Sequence, residues 1–404
     1  MINDRTSTAV VVGASLAGLR GAETLRDSGF AGRIVLVGEE PHLPYDRPPL
    51  SKQYMAGKWG LDRVRLRADD RIEALELDLR LGHTATAIDP VSHRVELDDG
   101  EQIAYDGALI ATGAHPKRMA GTEGMDNVCV LRTIEDSDAI ARAVGPGTRV
   151  VVVGAGFIGS EVAATCHGLG ASVVVVEALP TPLSGVLGVE MGEACALLHE
   201  DQGVELRTGL GVARIEASGN EVADLTEVVL EDGTTLPADV VVVGIGVTPT
   251  TGWLEGSGLE VRDGLVADSM LFAAQDVVVA GDVCRWADRR IGSEIRIEHW
   301  TNAAEQGMSA ARNLLAGRES AMPFEPVPYF WSDQYDTKIQ VIGHPHPDDE
   351  VVVVDGSVAE RKFVALYGRD GMLGAALGFS RPRQMMGYRR LLEDRASFDE
   401  ALKQ

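Results

Sequence analysis

Short unbroken apolar runs recur along the chain: Ala9–Val12, Ile34–Val37, Ala108–Ile110, Val150–Val153, Val173–Val176, Val240–Val243 and Val277–Val279. Runs of this length, with no polar alternation, predict strands buried on both faces, as in a parallel sheet. Between them Ala17, Leu19, Ala22 and Leu25 suit a packed helix, and a helical pattern also follows Gly159. Ile88 to Tyr105 alternates instead, around an Asp99-Gly100 turn, and predicts antiparallel strands. Glu200 to Leu236 reads as a β-meander with a turn at Asp232-Gly233. A helix is expected from Glu298 towards Leu315, and the proline-bearing stretch Gly317–Pro328 reads as a linker. Beyond it lie alternating strands at Lys338–Val341, Val351–Val354 and Phe363–Tyr367, then a helical tail, Pro382–Leu402.

Two strand–helix junctions carry glycines at a set spacing. Val150–Val153 runs into Gly154-Ala-Gly156-Phe157-Ile158-Gly159, and the next strand ends in Glu177. Such glycines allow a tight turn, close backbone approach to a pyrophosphate and close helix–strand packing. The helix N-terminus offers free N–H groups to phosphates, and the acid accepts ribose hydroxyls. Gly13-Ala-Ser15-Leu-Ala17-Gly18 repeats the theme, and its second strand is followed by Glu39. Ser15 replaces the middle glycine and is small enough to keep the approach open. Ala111-Thr112-Gly113 and Gly244-Ile245-Gly246 end two further buried strands with small residues that admit a ligand or another backbone. Gly281-Asp282 ends another; Asp282 meets a ligand hydroxyl there or caps a following helix. The expected class is α/β: two Rossmann-like dinucleotide-binding domains, one inserted in the other, plus a C-terminal α+β domain. The expected bounds are 1–116 with 248–325, 117–247, and 326–404.

Candidate side chains cluster around these junctions. The prolines of His42–Lys52 fix an extended path and place Lys52 at the start of a helix. With only six lysines in the chain, Lys52 reads as a cofactor contact, with a solvated surface lysine as the other reading. Arg132, before an acidic helical stretch, faces a phosphate or caps local acids. Trp300 stacks beside a ring or fills core.

At 404 residues the chain has room for two or three domains. A net charge of -24 sets it against nucleic acid and anionic membranes. No apolar run is long enough for a membrane span, and Met1–Thr8 is polar, so no signal peptide is expected. Cys129, Cys166, Cys195 and Cys284 lack metal or redox spacing; no metal site is expected, and a reducing cytoplasm is the expected compartment. Monomer and homodimer both stay open.

Taken in order, these motifs resemble the FAD-dependent pyridine-nucleotide oxidoreductases. Within them the chain looks like the ferredoxin reductases of cytochrome P450 and aromatic-ring dioxygenase systems, and like rubredoxin reductase. The resemblance rests on Gly13–Gly18, Pro44-Tyr-Asp-Arg47-Pro-Pro-Leu-Ser-Lys52, Ala111–Gly113, Leu131-Arg132-Thr133, Gly154–Glu161, Gly281-Asp282, Glu298-His299-Trp300 and Phe330-Trp331-Ser-Asp333. It implies FAD pyrophosphate at Gly13–Gly18, adenosine ribose on Glu39, and Arg47 and Arg132 at the phosphates or flavin side. It places Asp282 on the ribityl chain and Trp300 and Trp331 beside the isoalloxazine. Lys52 would lie near flavin N5, paired with Glu161, and NAD on Gly154–Gly159.

The implied reaction is hydride transfer from NADH to FAD, then single electrons to a [2Fe-2S] ferredoxin feeding a P450 or ring-hydroxylating oxygenase. Rubredoxin reductase, NADH oxidase and an NADH-sensing flavoprotein of the apoptosis-inducing-factor type are the alternatives. No cysteine precedes Cys129, so the disulfide-reducing branch lacks its nucleophile. Glu177 should favour NADH over NADPH. Ser184-Gly185 stands where such proteins often carry an arginine. Docking an acidic ferredoxin would call for a local basic patch, with Arg285, Arg289, Arg290, Arg296, Lys338, Arg381 and Arg383 as candidates; ordinary surface pairing with nearby acids is the other reading of each.

Overall fold

The unbroken apolar runs become parallel strands covered on both faces. A computed structural model describes residues 6–217 and 225–404. Contacts divide the chain into two units. One comprises Met1–Asp46, Asp62–His115 and Thr248–Pro326; the other comprises Arg47–Leu61, Pro116–Val247 and Val327–Gln404. The proline-rich segment that carries Lys52 thus groups with the second unit, although the sequence bounds assign it to the first.

The first unit holds a six-stranded sheet in the order Phe272–Ala274, Val277–Val279, Gly107–Ile110, Thr8–Val12, Arg33–Gly38, Leu77–Leu81. Only Phe272–Ala274 runs antiparallel to its neighbour. Strand order reverses between Thr8–Val12 and Gly107–Ile110, which sets a crevice at their carboxyl ends. Leu77–Leu81 is a strand that its mixed polarity hid: every residue in it is only half-buried. The expected antiparallel strands appear as Ala85–Asp89, Arg94–Leu97 and Gln102–Ala104.

The second unit repeats the design with a five-stranded parallel sheet: Glu205–Thr208, Ser172–Glu177, Arg149–Val153, Val240–Val243, Val128–Cys129. The meander expected over Glu200–Leu236 is shorter. Its first part continues the helix Ser184–Asp201, and Glu205–Thr208 joins the parallel sheet. The antiparallel remainder is Val212–Ala217, Thr226–Leu230 and Thr235–Ala238.

In the C-terminal portion five antiparallel strands stand in the order Tyr329–Gln334, Thr337–Gly343, Met372–Phe379, Lys362–Arg369, Glu350–Ser357. Leu187, Met191, Ala194, Cys195 and Leu198 recur at helical spacing and pack on one face against Ile339, Val341, Phe363 and Leu377. Met385, Tyr388 and Leu392 of helix Pro382–Glu393 cover the other face. The helical tail is interrupted after Glu393 and resumes as Phe398–Ala401.

Helix Leu16–Asp27 crosses helix Trp300–Ala316 at a glycine contact. A Cβ on Gly307 would lie 2.2 Å from the Ala17 carbonyl oxygen. Gly307→Ala should therefore force the helices apart and cost about 1–3 kcal/mol. Urea unfolding checks this; an unchanged midpoint would contradict it.

Candidate functional site

In the first unit two strand ends are pressed together. Gly13 has φ +117°, and a Cβ there would stand 2.1 Å from the Ala111 carbonyl oxygen. A Cβ on Gly18 would stand 1.8 Å from the Gly13 oxygen, so both positions require glycine. Ser15 is the N-cap of helix Leu16–Asp27 at φ −108°, a conformation any residue adopts, and its side chain does not cap the helix. Glu39 is exposed just beyond Arg33–Gly38 and has no hydrogen-bond partner among the described residues. Thr112 Oγ1 donates to the Thr250 carbonyl (3.0 Å), and the Thr250 amide donates to the Gly113 carbonyl (3.0 Å).

Asp282 is half-buried after Gly281, whose amide donates to Gln306 Oε1 at 2.9 Å. Strand Cys284–Asp288 follows, so Asp282 caps no helix. Glu298 accepts from Arg296 Nη1 at 2.6 Å. His299 is the N-cap of the next helix. Trp300 does not fill core: it is 37% exposed and its Nε1 donates to Asp46 Oδ1 at 2.6 Å.

The second unit reproduces the cradle. Gly154 has φ +99°, a Cβ there would stand 2.4 Å from the Gly244 oxygen, and a Cβ on Gly159 would stand 2.0 Å from the Gly154 oxygen. A Cβ on Gly156 would meet nothing within 4 Å. Phe157 opens helix Phe157–Gly168, and Ile158 and Ile245 are apolar side chains left more than two-fifths exposed. Gly246 has φ +96°. Glu177 Oε2 accepts from the Ala155 amide (2.6 Å) and Oε1 from the Leu179 amide (2.9 Å). Its carboxylate is thus held against the glycine loop, with lone pairs remaining on each oxygen. Ser184 is buried and donates to the Thr181 carbonyl (2.8 Å) at the start of its helix.

Lys52 ends a short 3-10 turn, Pro48–Ser51, rather than starting a helix, because Pro48 and Pro49 set the tighter turn. Its Nζ lies 2.6 Å from Glu161 Oε2. Ser51 Oγ donates to the same oxygen at 2.5 Å. Ser332 Oγ donates to Oε1 at 2.7 Å, and the Asp333 amide reaches it at 3.4 Å. Glu161 is 6% exposed, so its charge is kept in low dielectric only because donors surround it. Arg47 Nη1 donates to the Arg132 carbonyl (2.6 Å), while the Arg132 amide donates to Asp136 beside the Thr133 capping box. Trp331 is half-buried with its ring stacked 6.0 Å from Tyr329.

The seven basic residues considered for docking are mostly neutralised where they stand. Arg285 and Arg296 share Asp263, with Glu294 and Glu298 alongside. Arg289 pairs with Glu325, Lys338 with Asp333 and Arg381 with Asp355. The Arg290 amide donates to Asp288. Arg383 is exposed and makes no ion pair among the described residues.

Residues 7–307 match the model of the pyridine nucleotide-disulphide oxidoreductase family, and residues 329–403 match a reductase C-terminal domain. The chain belongs to the pyridine nucleotide-disulphide oxidoreductase family. It is 38% identical to a probable ferredoxin reductase of Castellaniella defragrans, over 93% of each chain. It is 34% identical to putidaredoxin reductase of Pseudomonas putida, over 96% of this chain and 92% of that one. A covalent putidaredoxin reductase–putidaredoxin complex superposes with a TM-score of 0.91 at 33% identity, covering 97% of this chain and 94% of that one.

The chemistry of both cradles fits a dinucleotide pyrophosphate. At neither helix start, Ser15 or Gly156, does a side chain of the N-cap residue cap the N-terminal N–H groups, and the space above Gly156 is open. Thiol chemistry does not fit. Burial pushes Cys166 and Cys195 up to about 12, and raises Cys129 and Cys284, so none offers a ready thiolate. Among the described residues no helix is long and apolar enough to cross a membrane.

Ser51, Ser332, Gln334 and His199 are members of the site's hydrogen-bond network to which the motifs assign no role. The alternation of Tyr329–Gln334 was a usable signal, since it turns Ser332 and Gln334 inward beside Phe330. His199 is fully buried, its Nδ1 2.8 Å from Tyr335 Oη and its Nε2 3.4 Å from Ser160 Oγ. Burial lowers its imidazole to about 4.

Unfolded, that imidazole titrates near 6.5. Between the two values only the unfolded chain takes up the proton, so stability is full above about 6.5 and falls as pH drops towards 4. By pH 4.5 the His199 contribution lost should be about 2–3 kcal/mol. Unfolding curves at pH 7 and 4.5 should show His199→Gln losing that much less than wild type; equal losses would contradict the assignment.

Proposed function

We propose that the chain is an NADH-dependent ferredoxin reductase of a cytochrome P450 or ring-hydroxylating oxygenase system. The observation that carries this is the presence of two glycine cradles in a chain whose four cysteine thiols are all held above their ordinary range by burial. Electrons then have no sulfur stop between nucleotide and acceptor. The curated relatives bear ferredoxin and putidaredoxin reductase names over nearly their whole length. FAD, when bound, accepts a hydride from NADH and passes the electrons on singly.

We assign FAD to the Gly13–Gly18 cradle with Glu39, Gly281 and Asp282, and NADH to Gly154–Gly159 with Glu177. The corresponding domains are 1–116 with 248–325 for FAD, 117–247 for NADH, and 326–404 at the C-terminus. Lys52 supplies a fixed positive charge for the flavin, and Glu161 keeps that charge from being buried alone. No general base is required, so the protein's task is orientation and electrostatics. The four free thiols accord with a reducing, cytoplasmic setting.

The test is anaerobic rapid mixing of the flavoprotein with NADH, then with a [2Fe-2S] ferredoxin. Fast flavin bleaching followed by ferredoxin reduction on the turnover timescale is expected. Bleaching with no transfer to the ferredoxin would overturn the proposal. Glu177 presents a carboxylate where a 2′-phosphate would sit, and Glu177–Val186 contains no lysine or arginine. The kcat/KM for NADH should exceed that for NADPH by at least about tenfold, and Glu177→Gln should narrow the gap. Equal values for the two cofactors in wild type would contradict this.

A further inference from the structure

We infer that Ser332, on the C-terminal domain, is a positioning residue for the Lys52–Glu161 pair. This rests on the reductase reading, in which that pair serves hydride transfer. Ser332 and Gln334 are both fully buried on the strand Tyr329–Gln334. A serine hydroxyl has one proton, and here it goes to Glu161 Oε1 at 2.7 Å. The Ser332 oxygen is then free to accept from Gln334 Nε2 at 3.3 Å. A directed chain therefore runs from Gln334 through Ser332 to the carboxylate.

The two carboxylate oxygens divide the work. Oε2 takes Lys52 and Ser51, and Oε1 takes the C-terminal domain. Without the Ser332 hydroxyl, Oε1 would keep only the Asp333 amide at 3.4 Å. The terminal torsion of a glutamate is soft, so a carboxylate anchored at one oxygen can turn away from its cation. The neighbouring helix residue is held from the same strand end. Ser160 meets His199, and His199 meets Tyr335, the residue after Gln334. Glu161 is thus held directly from the strand Tyr329–Gln334, and Ser160 indirectly from Tyr335 through His199 of helix Ser184–Asp201. Ser332 lies 171 residues from Glu161 in sequence.

The experiment uses the FAD-loaded full chain as wild type, Ser332→Ala, Ser332→Cys and Glu161→Gln, with Ser332→Ala also on the Glu161→Gln background. Flavin reduction by NADH is followed in single turnovers, and NAD+ affinity is titrated separately through the flavin absorbance. Ser332→Ala should slow flavin reduction about tenfold, the loss of one hydrogen bond to a charged group. Ser332→Cys, close in shape and a weak donor, should do the same should the alanine variant fold poorly. NAD+ affinity should stay within about twofold because the glycine cradle is untouched, and Ser332→Ala should add nothing on the Glu161→Gln background. A wild-type rate in the folded Ser332 variants would overturn the role. So would a full multiplicative loss on the Glu161→Gln background, or NAD+ affinity falling in step with the rate, since each marks a general structural effect. Wild type that NADH does not reduce would overturn the reductase reading itself.

Discussion

A cation and a carboxylate sit side by side in the second unit with 11% and 7% of their side chains exposed. Two such charges withdrawn from water are tolerated only when paired and hydrogen-bonded. That constraint explains much of the local architecture. The proline-rich segment is stiff enough to deliver Lys52 and Ser51 together, helix Phe157–Gly168 delivers Glu161, and the C-terminal sheet delivers Ser332. Each is distant from the others in sequence, and the Thr165 hydroxyl further ties the helix to the Ser51 carbonyl at 2.7 Å. Grouping of Arg47–Leu61 with the second unit follows from the same contacts.

The chain uses one backbone solution twice, once in each unit. At each strand-order reversal a glycine with positive φ lets two strand ends touch, Gly13 on Ala111 and Gly154 on Gly244. A second glycine, Gly18 or Gly159, lets the helix start close over the first. The copies differ in their acids. Glu39 has no protein partner among the described residues, whereas Glu177 braces its own loop through Ala155 and Leu179. Charge substitution at Glu177 therefore acts on the geometry of the glycine loop itself.

The parallel sheets and the tight glycine turns at their strand ends were legible because buried strands and tight turns leave strong local marks in sequence. Leu77–Leu81 and Met372–Phe379 were not. The first is half-buried throughout, and the second contains small residues with little β-pattern. Lys52 and Glu161 were legible through the family motifs. Ser332, Ser51 and His199 escaped because serine and histidine carry no pattern until the fold brings a buried carboxylate or tyrosine to them. Trp300 was open between ring and core, and its hydrogen bond to Asp46 keeps it at the surface. The docking arginines were open too, and their acids, among them Asp263 and Glu325, could be matched to them only in three dimensions.

The central claim is that Lys52 and Glu161 act as one unit. The most direct test is a double-mutant cycle on single-turnover flavin reduction by NADH, with Lys52→Met, Glu161→Gln and the pair. Either single change should slow the step, and the double change should be no slower than the worse single one, a coupling of at least about 1 kcal/mol. Independent, multiplicative losses, or a wild-type rate in Lys52→Met, would contradict it.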